Sequence, residues 1–502
     1  MRSAFGVPIT CLGLLALAAS RAPGQVTWIS STADEPWREM NAPAFVAADP
    51  ATPPEIRIAP GRTFQSIDGF GGAFNELGWQ ALNHLSASNR DQVMQALFGD
   101  DGCAFNLGRI PIGASDFGID WCSADDTPGD VALEHFSIDR DSQYLIPYVQ
   151  AAMAVRPGLS CWASPWSPPA WMKANNNYSG GSLRWEPEIL GSYATYLARW
   201  VEEYRAIGID IFGLSPQNEP NTSNVYPTCT WTGPQLREFI AGYLGPTLQA
   251  RGTGLELWLS LNGDPPNGGD LINGRLVNVL DDPAANGFLT GVAYQYDSRN
   301  QIASASKLYP DKRFMQSETV CHGGANSWSE AQQLFALMKQ YFEGGANSYF
   351  MWNMVLDETG LSTWNWRQNA MVTVDRGSHT TRLNGEYYVM RHFSRFVRPG
   401  ARRALMTGEW GDQIGFVNPD GSLVLVIGNS LDWGYDVRVC VGGREGGDTL
   451  VVTLPGRSIN TFVVDHPVIP DACNGADLAE PLGSLDFFDV LKYLDVFDSG
   501  CS

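Results

Sequence analysis

The chain has 502 residues, a formal net charge of −21 and an isoelectric point of about 4.6; 44% of its residues are hydrophobic and 11% are aromatic. This length exceeds what one hydrophobic core usually supports and predicts at least two domains. The strong acidity argues against nucleic acids and anionic membranes as partners, because both require a basic face on the protein.

Residues 1–24 have the pattern of a secretory signal peptide. Arg2 is followed by an apolar run and then by small residues, with a predicted cleavage site between Ser20 and Gly24. We therefore expect a secreted, periplasmic or cell-surface protein. Beyond this segment, the sequence contains no apolar stretch long enough to predict a membrane-spanning helix.

Strand-like and helix-like segments alternate from residue 63 to residue 388, after strand-like pieces at 25–62. Eight strands are predicted in this region: "DGFGGAF", "CAFNLGRIPIG", "LSCWASPW", "IDIFGLSPQ", "LELWLSLNG", "LTGVAYQY", "RFMQSE" and "NSYFMWNMVL". The alternation predicts an α/β fold, a (β/α)₈ TIM barrel. A doubly wound sheet is the alternative, but the glycines of "DGFGGAF" lack the GxGxxG spacing that such a fold carries after its first strand.

Residues 389–466 change to short alternating strands separated by Asn, Asp and Gly turns, which predicts a β-sandwich. The strands of 25–62 are expected to join its sheet, because β segments that precede a barrel need a sheet to pair with.

Residues 467–502 are interpreted as a linker and a short helical C-terminal module. The module resembles half of a dockerin-like calcium-binding hand, with weak calcium candidates at Asp477, Asp486 and Asp489, although Ala479 stands where a ligand is expected. Cys473 and Cys501 flank the module and are predicted to form a disulfide. The module is either an attachment to a scaffold or cell-surface partner, or a stapled terminal cap.

The sequence favours neither a metal centre nor another cofactor. None of its nine cysteines forms a CxxC pair, and its six histidines include no HExxH motif.

Two glutamates stand at the ends of predicted barrel strands. Glu219 follows the fourth strand in "LSPQNEPN", and Glu318 ends the seventh in "FMQSET". The carboxyl ends of the strands face the active site of a TIM barrel, so these side chains are expected to converge. Two carboxyl groups facing one cleft suit glycoside hydrolysis, whereas either one alone also fits a structural role in binding loop amides.

Several longer motifs occur in the order typical of one enzyme family: "DGFGGAFNE", "LGRIPIGASDFG", "ASPWSPPAWMKAN", "LSPQNEPN", "FMQSETVCHGG" and "YFMWNMVLDETGLSTWNWRQNAMVTVD". Across about residues 63–400 the chain resembles glycoside hydrolase family 30, the glucosylceramidase-like enzymes. The resemblance implies a retaining mechanism with Glu219 as acid/base and Glu318 as nucleophile.

The candidate substrate-binding residues are Arg109, Asp116, Trp166, Asn218, Trp352 and Trp366. The resemblance implies that Asp116, Trp166 and Trp352 hold the sugar whose bond is cleaved. Asn218 is expected to contact the sugar 2-hydroxyl, and Arg109, placed at the end of the second strand, to orient Glu318 or to form a structural salt bridge. Trp366 and Trp171 either stack on a sugar ring or pack against the protein. Gln295 stands where many members of the family carry histidine.

Cys229 and Cys321 follow the two catalytic strands on the same face, and are either a disulfide or two free thiols. The predicted function is a secreted retaining β-glycosidase that cleaves a glucosidic bond in a glycan or glycoside, as a glucosylceramidase or a β-1,6-glucanase does. The alternatives are a β-xylosidase or xylanase of the same family, and a carbohydrate-binding protein without catalysis.

Overall fold

The computed structural model describes residues 25–47, 51–262, 274–296, 298–442 and 448–465. The predicted signal peptide lies outside the described residues. So do the C-terminal module, its calcium candidates Asp477, Asp486 and Asp489, and the predicted Cys473–Cys501 disulfide.

Eight parallel strands close into a barrel, which confirms the predicted TIM-barrel fold. In chain order, the first to eighth barrel strands are Gly69–Ala73, Leu107–Ile112, Ser160–Pro165, Ile211–Leu214, Glu256–Leu261, Leu289–Gln295, Arg313–Glu318 and Ser348–Asn353. The eighth strand pairs with the first through five residue pairs, including Ser348 with Gly69. All carboxyl ends therefore open at one face.

Helices surround the barrel. The α-helices of the described residues are Glu76–Leu82, Ala87–Phe98, Leu145–Val155, Pro187–Ala206, Gly233–Phe239, Gly245–Ala250, Arg275–Leu280, Pro283–Phe288, Arg299–Leu308, Trp328–Glu343 and Gly385–Ser394. A π-helical turn covers Ile240–Leu244, and 3₁₀ turns cover Asp139–Gln143 and Ala170–Met172. The sequence pattern of residues 139–155 predicts a single helix, whereas the structure has a 3₁₀ turn followed by a separate α-helix there.

The helix Pro187–Ala206 shows how sequence spacing determines burial. Its apolar residues recur every three or four positions, so Ile189, Tyr193 and Leu197 share one buried face. Gly208 follows the helix with a φ of 85°, a conformation that glycine adopts without steric cost. The same spacing predicts that the helix continues to a buried Ile207, whereas Ile207 lies outside the helix and is exposed.

A ten-stranded sheet contains strands from both ends of the described chain. Its members are Gln25–Ser31, Arg38–Glu39, Phe45–Ala47, Ile56–Ser66, Arg402–Thr407, Gln413–Val417, Leu423–Asn429, Tyr435–Val441, Asp448–Leu454 and Ser458–Asp465. A small three-stranded sheet is formed by Val355–Asp357, Val372–Asp375 and Thr380–Leu383. The long strand Ile56–Ser66 lies inside the large sheet, paired with Arg402–Thr407 and with Tyr435–Val441.

Strand Leu423–Asn429 connects the two domains through its alternating side chains. Leu425 and Ile427 lie in the core of the large sheet, whereas Val424 and Val426 belong to the core that surrounds the barrel. Period-two alternation thus allows one strand to serve both cores. Among the helices that the structure describes, none has the length and hydropathy of a membrane span.

Candidate active site

The two predicted carboxylates both lie at the carboxyl-terminal face of the barrel. Glu318 is the last residue of the seventh strand, and Glu219 lies in the loop after the fourth strand. Both side chains are buried. The charges of Glu318 and Glu219 both raise the pKa of Asp116, so the three acidic side chains lie in one cluster.

Arg109 connects the seventh strand with the loop after the fourth strand. Its Nη1 donates to Glu318 Oε2 at 2.5 Å and to the Ser317 carbonyl at 3.0 Å. Its Nη2 donates to Asn218 Oδ1 at 2.6 Å and to Ser164 Oγ at 3.0 Å. A planar guanidinium with several fixed donors is suited to hold a carboxylate and an amide at the same time.

The position of Arg109 differs from the prediction. It lies inside the second barrel strand, Leu107–Ile112, and not at the strand's end. It is fully buried, and its guanidinium carbon lies 5.0, 4.7 and 5.5 Å from the ring centroids of Trp162, Trp166 and Trp352. The ion pair with Glu318 and these aromatic contacts balance the desolvation of the buried cation.

Tyr296 contacts the other oxygen of Glu318. Its hydroxyl hydrogen-bonds to Glu318 Oε1, and its backbone adopts a φ of 47°. The pairing of the sixth with the seventh strand skips Ser317, so Gln295 stands opposite Glu318 and Tyr296 follows at the rim. Such local irregularities in strand pairing often occur beside active sites, where they redirect a side chain. Sequence reasoning missed Tyr296, although it is the last residue of the sixth predicted strand, "LTGVAYQY".

Glu219 has different surroundings. Its carboxyl accepts a hydrogen bond from the Tyr226 hydroxyl at 3.3 Å, and its φ of 43° is unusual for a residue other than glycine. Burial and, second, the charge of Glu318 raise the pKa of Glu219 to about 8. Glu219 is therefore mostly protonated at neutral pH and can donate a proton.

Asn218 is fixed by two donors to its side-chain oxygen. Arg109 Nη2 lies 2.6 Å from Asn218 Oδ1, and Gln295 Nε2 lies 2.7 Å from it. With the oxygen bound on both sides, the Asn218 Nδ2 group is the end that can donate to a ligand. Gln295 thus has a defined hydrogen-bond partner in Asn218.

Two family models match most of the chain. The glycosyl hydrolase family 30 TIM-barrel domain matches residues 67–397, and the family 30 beta sandwich domain matches residues 412–462. The chain belongs to glycoside hydrolase family 30. It is a glycoside hydrolase with a TIM barrel and a β-sandwich domain.

Relatives of this family 30 hydrolase include proteins named for different glucosidic substrates. Putative glucosylceramidase 2 of Caenorhabditis elegans is 30% identical over 412 residues, which cover 76% of this chain and 78% of that protein. The crystal structure of SrfJ from Salmonella typhimurium matches with a TM-score of 0.81 and 28% identity, covering 88% of this chain and 99% of that one. A solved endo-beta1,6-glucanase matches with a TM-score of 0.77 and 25% identity, covering 88% and 100%.

The family 30 cleft has a wall of tryptophans beside Arg109. Trp166 stacks on Trp352 with a centroid separation of 5.0 Å, and both are buried. Trp366 lies farther out, 38% exposed. Trp171 instead packs in the barrel core and donates its indole N–H to the Asp125 carbonyl at 2.9 Å, so of the two predicted roles it has the packing one.

Asp116 lies in the same cleft with an unused hydrogen-bonding atom. Its Oδ1 is buried and has no hydrogen-bond partner among the described residues. The indole nitrogen of Trp352 is likewise buried without a partner among those residues. Burial, followed by the charges of Glu318 and Glu219, raises the pKa of Asp116 well above its ordinary value. A buried polar atom without a protein partner is a ready contact for a sugar hydroxyl.

Cys229 and Cys321 are free thiols, so the disulfide alternative is wrong. Cys229 packs in the core around the barrel, whereas Cys321 packs in a separate small cluster with Trp166 and Trp352. The described residues of this hydrolase contain no cluster of His, Cys, Asp or Glu arranged to hold a metal ion.

Proposed function

We propose that the protein is a retaining β-glycosidase that works by double displacement, with Glu318 as nucleophile and Glu219 as acid/base. The unequal surroundings of the two carboxyl groups carry the proposal. Glu318 contacts a guanidinium and a tyrosine hydroxyl, whereas Glu219 is buried with a raised pKa. When two neighbouring carboxyl groups have surroundings this different, one serves as the proton donor and the other as its charged partner.

In the first step, a Glu318 oxygen attacks the anomeric carbon while the bond from that carbon to the leaving oxygen breaks. Glu219 gives its proton to the leaving oxygen, which departs as an alcohol. The sugar is then bound to Glu318 as an ester, and Glu219 is a carboxylate.

In the second step, water enters from the side that the leaving group occupied. Glu219 removes a proton from this water, its oxygen attacks the anomeric carbon, and the ester bond to Glu318 breaks. Burial beside the charge of Glu318 favours the protonated form of Glu219, so the donor is restored for the next cycle.

The remaining cleft residues are assigned to binding the sugar whose bond is cleaved. Asn218 presents its Nδ2 group to the 2-hydroxyl, and Asp116 offers its unpartnered oxygen to another hydroxyl. Arg109 positions Glu318 and Asn218 through direct hydrogen bonds. Trp166 and Trp352 form the apolar wall against the ring.

The substrate class proposed is a β-glucoside, either β-1,6-glucan or glucosylceramide. Support comes from relatives with those names, one a putative glucosylceramidase and one an endo-beta1,6-glucanase. A xylan or β-xyloside is the second candidate, and a binding protein without turnover is the third.

Secretion and attachment through the C-terminal module are further proposals that rest on the sequence pattern of 1–24 and 467–502. Fractionation of cells that express the full chain tests the first. Deletion of 468–502 tests the second: unchanged localisation and unchanged complex size would contradict attachment.

A glycan panel tests the activity. β-1,6-Glucan, β-1,3-glucan, xylan and glucosylceramide are incubated with wild type and with Glu318→Gln, and the released sugar is measured. We expect hydrolysis of a β-glucoside that falls by at least about 10³-fold in the variant, because the nucleophile is lost. Binding without turnover by wild type would favour the binding protein, and equal turnover by the variant would contradict the assigned nucleophile.

A further inference from the structure

A row of three aromatic side chains leads from Glu219 to the protein surface. The Tyr226 hydroxyl contacts Glu219 Oε2, and the Tyr226 ring lies 5.0 Å from the Trp364 ring. Trp364 lies 4.9 Å from Trp366, which is 38% exposed. The row therefore begins at the proposed proton donor and ends in solvent.

The row starts on the Glu219 side of the carboxylate pair. Glu318 is contacted by Arg109 and Tyr296, whereas the first member of the row contacts Glu219. In the proposed mechanism, Glu219 protonates the leaving oxygen, so the groups that extend outward from Glu219 meet the leaving group.

Trp366 is held in a closed turn. The Ser362 amide donates to the Trp366 carbonyl at 2.8 Å, and the Trp366 amide donates to Ser362 Oγ at 3.0 Å. Thr363 Oγ1 donates to the Gly118 carbonyl at 3.2 Å and so ties the turn to the loop that carries Asp116. Because the backbone of Trp366 is already ordered by these bonds, a ligand that binds the exposed indole has only the side-chain torsions left to fix.

The surroundings of the row fit a sugar better than a lipid chain. The indole N–H of Trp364 is buried without a partner among the residues that the structure describes, so a bound hydroxyl would satisfy it. The loop before Tyr226 reads "NTSN", residues 221–224, and supplies further hydrogen-bonding side chains. A sugar uses both an aromatic face and hydroxyl partners, whereas an acyl chain uses only the face.

On the basis of the proposed function, we infer that Trp366, with Trp364 behind it, forms a subsite for a sugar ring of the leaving group. The same subsite holds the acceptor when a sugar hydroxyl replaces water in the second step. In that transfer, the acceptor oxygen attacks the anomeric carbon, Glu219 takes the hydroxyl proton, and the ester bond to Glu318 breaks.

A comparison of two substrates distinguishes an effect on this subsite from an effect on the catalytic step. β-Glucosyl fluoride has a single atom as leaving group and cannot contact Trp366, whereas a β-1,6-linked gluco-oligosaccharide can. We expect Trp366→Ala to lower the ratio of kcat/KM for the oligosaccharide to kcat/KM for the fluoride by roughly tenfold, the effect of losing one aromatic contact. Trp366→Phe should restore much of the ratio.

The second measurement is the fraction of the glycosyl-enzyme that transfers its sugar to an added acceptor and not to water. With β-glucosyl fluoride as donor and a β-1,6-linked glucose disaccharide as acceptor, Trp366→Ala should lower transfer relative to hydrolysis. Trp433→Ala is the matched control, because Trp433 is 62% exposed on the β-sandwich next to strand Tyr435–Val441. It should leave both ratios as in wild type.

The outcomes are distinct. Both ratios unchanged in Trp366→Ala would overturn the subsite while the proposed function stands. Glucosylceramide is assayed beside the two substrates, and a loss in Trp366→Ala that is confined to it would also overturn the subsite, in favour of a lipid leaving group. Wild type that hydrolyses neither the fluoride nor the oligosaccharide would overturn the proposed function and the subsite together.

Discussion

At the residue scale, the protein gives different surroundings to two carboxyl groups that share one cleft. Glu318 is held by Arg109 and Tyr296, whereas Glu219 is buried beside the neutral hydroxyls of Tyr226 and Thr222. Two like charges so close together in a medium of low polarity repel, and the proton stays on the group without the cation. This difference in environment supports the two proposed roles more directly than either residue's place in the sequence does.

The raised pKa of Glu219 predicts the alkaline limb of the pH profile. Only the protonated form donates to the leaving oxygen, so kcat/KM should fall as the pH rises through about 8. Rates are measured from pH 4 to 10 with an aryl β-glucoside. In Glu219→Gln, tested on a dinitrophenyl glucoside that needs no proton, this limb should disappear. An alkaline limb that persists in the variant would assign it to another group.

Two variants of Arg109 separate the effect of its charge from the effect of its hydrogen-bond geometry. Arg109→Lys keeps a cation but cannot reach Glu318, Ser164 and Asn218 together, so kcat/KM should fall by about 10²-fold. Arg109→Met removes the charge and leaves Glu318 buried without its partner, which costs about 3–5 kcal/mol of unfolding free energy. Rates and urea unfolding are measured in parallel.

Arg313→Met is the matched control for Arg109. Arg313 also pairs with two carboxylates, Asp68 and Glu256, but it begins the seventh strand at the opposite end of the barrel. Its loss should affect stability and leave the kcat of the folded protein nearly unchanged. Wild-type kcat/KM in Arg109→Met would contradict the positioning role.

At the element scale, the ends of the sixth and seventh strands position the site as a unit. The skipped residue Ser317 presents its carbonyl to Arg109, and the register change brings Gln295 opposite Glu318. Gln295 then reaches Asn218 at the end of the loop from the fourth strand. The second, sixth and seventh strands, which are far apart in sequence, therefore fix the side-chain amide of Asn218 together.

This arrangement predicts a substrate-dependent effect of Gln295→Ala. Without its second donor, the Asn218 amide is held by Arg109 alone and is oriented less firmly, so kcat/KM for a β-glucoside should fall about tenfold, as for one lost hydrogen bond. The fall should be smaller for the 2-deoxyglucoside, which lacks the hydroxyl assigned to Asn218. Equal losses on the two substrates would contradict that assignment.

The sequence predicts the elements of the site better than the contacts between them. Period-two and period-3.6 patterns predict the barrel, and strand order places Glu219 and Glu318 at one face. The contact of Tyr226 with Glu219, and of Tyr296 with Glu318, depends on a left-handed backbone at Glu219 and Tyr296, which no apolar pattern encodes. Likewise, Cys229 and Cys321 follow catalytic strands on one face, but the loops direct them into separate clusters.

At the scale of the whole molecule, the barrel and the sheet domain share buried contacts. His392 of helix Gly385–Ser394 hydrogen-bonds to Ser31 and Thr461, each at 2.8 Å, and its burial lowers its pKa to about 3. Phe416 of the sheet contacts Phe342 and Phe393 of the barrel helices. A neutral buried imidazole and a shared aromatic core therefore join the two domains.

We therefore predict that the barrel does not fold alone. A fragment of residues 67–397 lacks the strands that cover Phe342 and Phe393, and exposure of this apolar surface should make it insoluble or molten. The control is residues 25–465, which keeps every described strand and should unfold in one cooperative transition. Circular dichroism and calorimetry compare the two; a cooperative transition in 67–397 would show that the barrel is independent.

The central claim is that Glu318 forms a covalent bond to the sugar. The most direct test is to incubate the protein with 2-deoxy-2-fluoro-β-glucosyl fluoride, which forms the ester quickly and releases it slowly, and to map the labelled peptide by mass spectrometry. We predict one 2-fluoroglucosyl group on Glu318, absent in Glu318→Gln. A label on Glu219 or another residue, or turnover of β-glucosides with inversion at the anomeric carbon, would contradict the account.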